Sequence, residues 1–106
     1  MAKYLFIGSY TAEGAKGVLA EGGSSRRAAV AKLCASVGGT LESFHLGFGS
    51  DDYYVIADVP GNAAAAAVAM TISSSGAVHN RTVVLLTPEE VDAATKLSPS
   101  YRAPGT

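Results

Sequence analysis

Two adjacent carboxylates, Asp51-Asp52, stand directly before two adjacent tyrosines, Tyr53-Tyr54, in the stretch FGSDDYYVIADVPG. Carboxylates of this kind can ligate a hard metal or act as a base. Neighbours along a strand point to opposite faces, so this pair does not converge on one site, and a hairpin turn with solvated acids is the competing reading. His45 alternates with Ser43 and Gly47, small neighbours that leave room beside an imidazole able to exchange a proton or touch a ligand. A surface or internally satisfied histidine is the alternative. His79 and Arg81 share one alternation near the start of a later strand, where Arg81 could clamp a carboxylate or simply cover an exposed strand end. Tyr10, Lys16, Arg26 and Arg27 surround a glycine-rich segment. Arginines in a helix's first turn oppose its dipole, which points to an anion or partner carboxylate if the face is not merely solvated. Gly14-Ala15-Lys16-Gly17 lacks the strand–turn–helix setting of a phosphate loop. No Ser-His-Asp, zinc or nucleotide spacing is present, so neither a metal nor a cofactor is expected.

These side chains are positioned by elements that the apolar pattern predicts. Tyr4 to Tyr10 reads as a strand, rich in aromatic and branched residues. Thr11 to Gly23 carries four glycines and reads as a loop, with at most a helical turn around Ala15 to Leu19. Ser24 or Ser25 can cap a following helix, whose apolar stripe is Val30, Leu33, Cys34 and Val37, and Gly38-Gly39 ends it. Thr40 to Phe48 is a second strand, with Leu41, Ser43, His45 and Gly47 on one face and Glu42, Phe44, Leu46 and Phe48 on the other. The turn Gly49-Ser50-Asp51-Asp52 pairs it with a third strand, Tyr53 to Val59. Pro60-Gly61 breaks the chain, Asn62 caps an alanine-rich helix from Ala63 to Ser74, and Ala77 to Leu86 is a fourth strand. Thr87-Pro88-Glu89-Glu90 opens a short helix reaching about Leu97. Residues 1–97 form one domain, and residues 98–106, with two prolines, read as a flexible tail or an arm onto a neighbour.

The order is β-α-β-β-α-β-α. A weak repeat, Tyr4-Leu5-Phe6-Ile7 against Tyr53-Tyr54-Val55-Ile56, suggests two βαβ halves joined by a hairpin. That is an α+β, ferredoxin-like βαββαβ sheet with an added C-terminal helix. The first half is longer by the segment Thr11 to Gly23, which makes that segment a site candidate. The first and third strands are apolar on both sides, yet helices cover only one. The opposite face therefore calls for a second sheet, and the chain for a homo-oligomer. Tyr53 and Tyr54 split across the sheet, one under the helices and one toward the space between subunits.

Composition bounds the partners. The chain has 106 residues, is 48% apolar and 16% charged, and carries a formal net charge of −1. There is no basic excess to hold nucleic acid, and no apolar run long enough to span a membrane. One cysteine excludes an internal disulfide and fits a reducing, cytoplasmic setting.

Taken together, Gly8-Ser9-Tyr10-Thr11 with Gly14 and Lys16-Gly17, Arg26-Arg27, Gly38-Gly39, the turn Gly49 to Asp52, Pro60, Ser75-Gly76-Ala77-Val78 and Leu86-Thr87-Pro88-Glu89-Glu90 resemble the GYD domain family. The resemblance covers nearly the whole chain. It implies a dimeric α/β barrel and favours a role for Asp52, but it implies no reaction. One departure is that Asp51 stands where the family's Gly-x-Tyr-Asp turn offers tyrosine, leaving Tyr53 as the ring that could replace it. The expected function is an oligomeric small-molecule-binding or structural assembly protein. The alternative is a cofactor-free, monooxygenase- or isomerase-like enzyme acting on a small hydrophobic or enolisable substrate in the barrel lumen. Candidate ligand contacts are Tyr10, Lys16, His45, Asp52, Tyr53 and Arg81, for a small anionic or apolar ligand. The site is expected between the segment Thr11 to Gly23 and the sheet face carrying His45. Convergence of His45, Tyr10 and Arg81 in one apolar pocket would favour the enzyme.

Overall fold

A computed structural model describes residues 1–106. Its elements are β1 (Ala2–Tyr10), α1 (Ala12–Glu21), α2 (Gly23–Ser36), β2 (Thr40–Leu46), β3 (Tyr53–Val59), α3 (Asn62–Ser74), β4 (Val78–Leu85) and α4 (Pro88–Thr95). The four strands form one antiparallel sheet in the order β2-β3-β1-β4. This is the ferredoxin-like arrangement expected, with the two halves interleaved so that β1 and β3 are central. α2 packs over β2 and β3, and α3 lies against β4.

The core follows from alternation. In β3, Tyr53, Val55, Ala57 and Val59 are buried, while Tyr54, Ile56 and Asp58 face the other way. Tyr4 and Phe6 of β1 join them under the helices, as do Cys34 of α2 and Ala65 and Val68 of α3. Val30, Leu33 and Val37 pack at the edge of this cluster, completing the stripe along α2. Burial pushes the Cys34 thiol up, and with 1% of its surface exposed it is inert filler. Labelling of the native protein by a maleimide should therefore be at least about tenfold slower than labelling of the unfolded chain. Equal rates in the two states would place Cys34 at the surface.

Five local expectations are corrected. Thr11 to Gly23 is not a loop: Thr11 caps the full helix α1 by accepting from the Gly14 amide. Gly14 is buried, and a Cβ there would come within 2.1 Å of the Ala77 carbonyl oxygen. Glycine weakens a helix by about 1 kcal/mol against alanine, but here it allows the close approach that packs α1 over the start of β4. α2 starts from Gly22 without a side-chain cap, so neither Ser24 nor Ser25 has that role. Gly61 precedes α3 as its cap, and Asn62 instead accepts a hydrogen bond from the Tyr4 hydroxyl. A bulge between Leu41 and Ser43 breaks the alternation of β2, so Leu41 packs toward the core alongside Phe44 rather than with Ser43 and His45. β2 also ends at Leu46, and Phe48 stands fully exposed in the hairpin connection.

The other sheet face is uncovered. Across it lie the register rows His45–Tyr54–Ile7–Arg81 and Ser43–Ile56–Leu5–Val83. Its centre is apolar, and its borders carry ions. Lys3 contacts Glu42 at 2.9 Å and Asp58 at 3.1 Å; Arg81 contacts Asp51 at 3.3 Å. No helix is long and apolar enough to cross a membrane.

Candidate ligand-binding site

The ends of β1 and β3 are locked together by Asp52. Its amide donates to the Gly8 carbonyl at 2.7 Å, and its carboxylate accepts from the Tyr10 amide at 2.9 Å. The carboxylate thus serves as a backbone clamp that aims Tyr10. Tyr53 begins β3 opposite Gly8, which is in turn opposite Asn80 of β4. With no side chain on Gly8, the Tyr53 ring lies across β1, and its hydroxyl donates to Asn80 Oδ1 at 2.6 Å. The Tyr10 and Tyr53 rings meet with centroids 5.5 Å apart, tilted by 52°.

These rings border a small cavity of about 80 Å³ between the sheet and α2. Phe6, Phe44 and Val55 supply its sheet wall, and Val30, Leu33 and Ile72 its helix walls. Arg26 is the only charged residue in the lining. Burial pushes the Tyr53 hydroxyl up to about 12, and Tyr10 and Asp51 add to the rise. Tyr10 is also raised, chiefly by burial, although the Arg26 guanidinium beside it pulls the other way. A phenol is protonated near neutral pH even without such a shift, and these shifts only reinforce that state, so both serve as donors. The cavity can hold an apolar group and offer a cation and a hydroxyl to a polar end.

The six expected contacts divide. Tyr10 and Tyr53 line the cavity. Asp52 supports it from behind through the β1 backbone. Lys16 is exposed on α1 and does not line the cavity. Arg81 and His45 lie in one row of the uncovered face, on the opposite side of the sheet from Tyr10. His45, Tyr10 and Arg81 therefore do not converge in one pocket. His45 instead borders an open hollow of about 310 Å³ at the β2 edge, with Gly23, Ser24 and Arg27 of α2. Asn80 was missed because only the register of β4 against β1 brings it opposite Gly8. Arg26 had one local signal, its dipole-opposing position in the first turn of α2. No three His, Cys, Asp or Glu side chains gather as a metal-ligand set.

The GYD domain family matches residues 4–95. The chain belongs to this family. No curated protein and no solved structure shows significant similarity to it. In this GYD domain a glycine, a tyrosine and an aspartate meet at one point, Gly8, Tyr10 and Asp52, although the aspartate comes from a different strand end. Asp51, at the position where the resemblance would offer tyrosine, is instead held by Arg81.

Proposed function

We propose that this GYD domain is an oligomeric small-molecule-binding protein. Its ligand is small and mainly apolar, with one anionic end. The observation that carries this reading is the apolar cavity under α2 whose one charged lining residue, Arg26, sits beside the Tyr10 hydroxyl. In this reading Arg26 pairs the anionic end, Tyr10 donates to it, and the ring of Tyr53 forms an apolar wall. The uncovered apolar sheet face supports homodimer formation by sheet-to-sheet packing, as in a dimeric α/β barrel. The free, buried Cys34 suits a reducing cytoplasm. Binding is favoured over cofactor-free catalysis because no carboxylate or imidazole lines the cavity and the histidine candidate lies on the other face.

The test is a panel of short aliphatic and aromatic carboxylates, screened by thermal shift and followed by calorimetry. Arg26→Gln should weaken a bound carboxylate about 10- to 100-fold, the range expected for loss of one charge-assisted hydrogen bond. His45→Ala should leave it unchanged. A hit lost on His45→Ala and kept on Arg26→Gln would move the site to the edge hollow. Absence of any hit across the panel would overturn the ligand class.

A further inference from the structure

The chain from Leu86 to Thr106 has no buried residue. It contains α4, which has a complete capping box: Thr87 Oγ1 accepts from the Glu90 amide and Glu90 Oε1 accepts from the Thr87 amide, each at 3.0 Å. Pro88 occupies the first turn. The sequence therefore specifies this helix strongly, yet its eight residues are short of the roughly 12–15 that an isolated helix needs to persist in water. Such a helix is held by packing, and its own domain buries none of its residues. The segment is also not a polar tail. Leu86, Val91, Leu97 and Tyr101 are exposed by 59%, 46%, 71% and 78%.

The size of the exposed surface says how much is missing. The chain exposes 6977 Å², against about 5,500 Å² for a compact monomer of this mass. Its radius of gyration is 16.8 Å, against about 13 Å for a compact chain of this length. The excess area, on the order of 1,500 Å² on one chain, is more than the roughly 800 Å² that each partner of a standard interface buries. Charge adds direction. Glu89, Glu90 and Asp92 of α4 form no ion pair, and neither do Arg27 and Lys32, exposed on α2, which carries no acid; α1 is mixed, with Glu13 and Glu21 beside Lys16, and Lys96 and Arg102 follow α4 in the arm.

We propose that the segment Leu86–Thr106 is an exchanged arm, with α4 packing on the helical side of a second copy of this chain. Val91 and Leu97 enter the contact, and the acids of α4 face the unpaired cations of α2. The arm is then a contact separate from sheet-to-sheet pairing, and it does not depend on the ligand reading.

The test is hydrogen exchange of the α4 amides in the full chain, read by mass spectrometry at protein concentrations spanning the association midpoint. The expected result is exchange at least about tenfold slower than for a free peptide at high concentration, with the protection lost on dilution. The double variant Val91→Asp/Leu97→Asp should abolish that protection at every concentration. It should keep the domain's melting transition, because neither side chain touches its own core. Protection that persists unchanged on dilution would mean the arm packs on its own domain, and would overturn the proposal. So would free-peptide exchange at all concentrations, which would leave the arm without a partner in this chain. Failure of the sheet-face pairing is read separately, through a substitution at Ile56.

Discussion

Gly8→Ala should destabilise the protein by about 3 kcal/mol or more, the upper range for overpacking a core. A Cβ on Gly8 would come within 2.1 Å of the His79 carbonyl oxygen and 2.5 Å of the Tyr53 hydroxyl oxygen. The first contact is backbone of the neighbouring strand β4, so it yields only if the β1–β4 pairing opens. The second displaces the ring that spans β1 to reach Asn80. On a domain of this size, 3 kcal/mol corresponds to a fall in Tm of more than about 10 °C. Denaturant and thermal unfolding of the two proteins would measure it. Tyr53→Phe in the Gly8→Ala background should not restore stability, because the backbone clash remains. A full rescue by Tyr53→Phe would mean the strand contact is soft and the ring was the whole obstacle. Ligand binding should fall with Gly8→Ala as well, since the Tyr10–Tyr53 wall loses its support.

In the proposed homodimer, Ile56→Asp should raise the dissociation constant by at least about 100-fold, as expected when a charge is buried without a partner at the centre of an interface. Ile56 lies opposite Leu5 on the uncovered face, in one row with Val83, and Tyr54 and Ile7 form the adjoining row. The cations of that face are already engaged, Arg81 by Asp51 and Lys3, one row from Ile56, by both Glu42 and Asp58, so a further carboxylate there finds no free partner. The monomer should tolerate the change, because Ile56 faces away from the core under the helices. Sedimentation velocity across a concentration series gives the constant. An Ile56→Asp protein that sediments as the wild type does would move the interface off this face, and a wild-type chain that stays monomeric would remove the interface altogether.

Much of the fold was legible because it rests on local patterns. The period-two pattern of Tyr53-Tyr54-Val55-Ile56-Ala57-Asp58-Val59 places alternate side chains under the helices whatever the partner strands are. The spacing of Val30, Leu33, Cys34 and Val37 does the same for α2, and Thr87-Pro88-Glu89-Glu90 writes the start of α4 in its own side chains. The motifs spread from Gly8 to Glu90 carried the family. What local pattern could not decide were questions of distance across the chain. Thr11 to Gly23 looked like a loop because its glycines lower helix propensity, and only the nearby Ala77 carbonyl explains why one of them must be glycine. Alternation assigned Leu41 to the face of His45, but the bulge beside it turns Leu41 into the core. Tyr10 and His45 looked like partners because each flanks a gap in its own segment, yet register puts them on opposite sides of one sheet. Asn80 is an ordinary polar strand residue until β4 pairs with β1. It then becomes the acceptor for Tyr53 across Gly8, since hydrogen bonding between strands, not sequence spacing, decides which side chains meet.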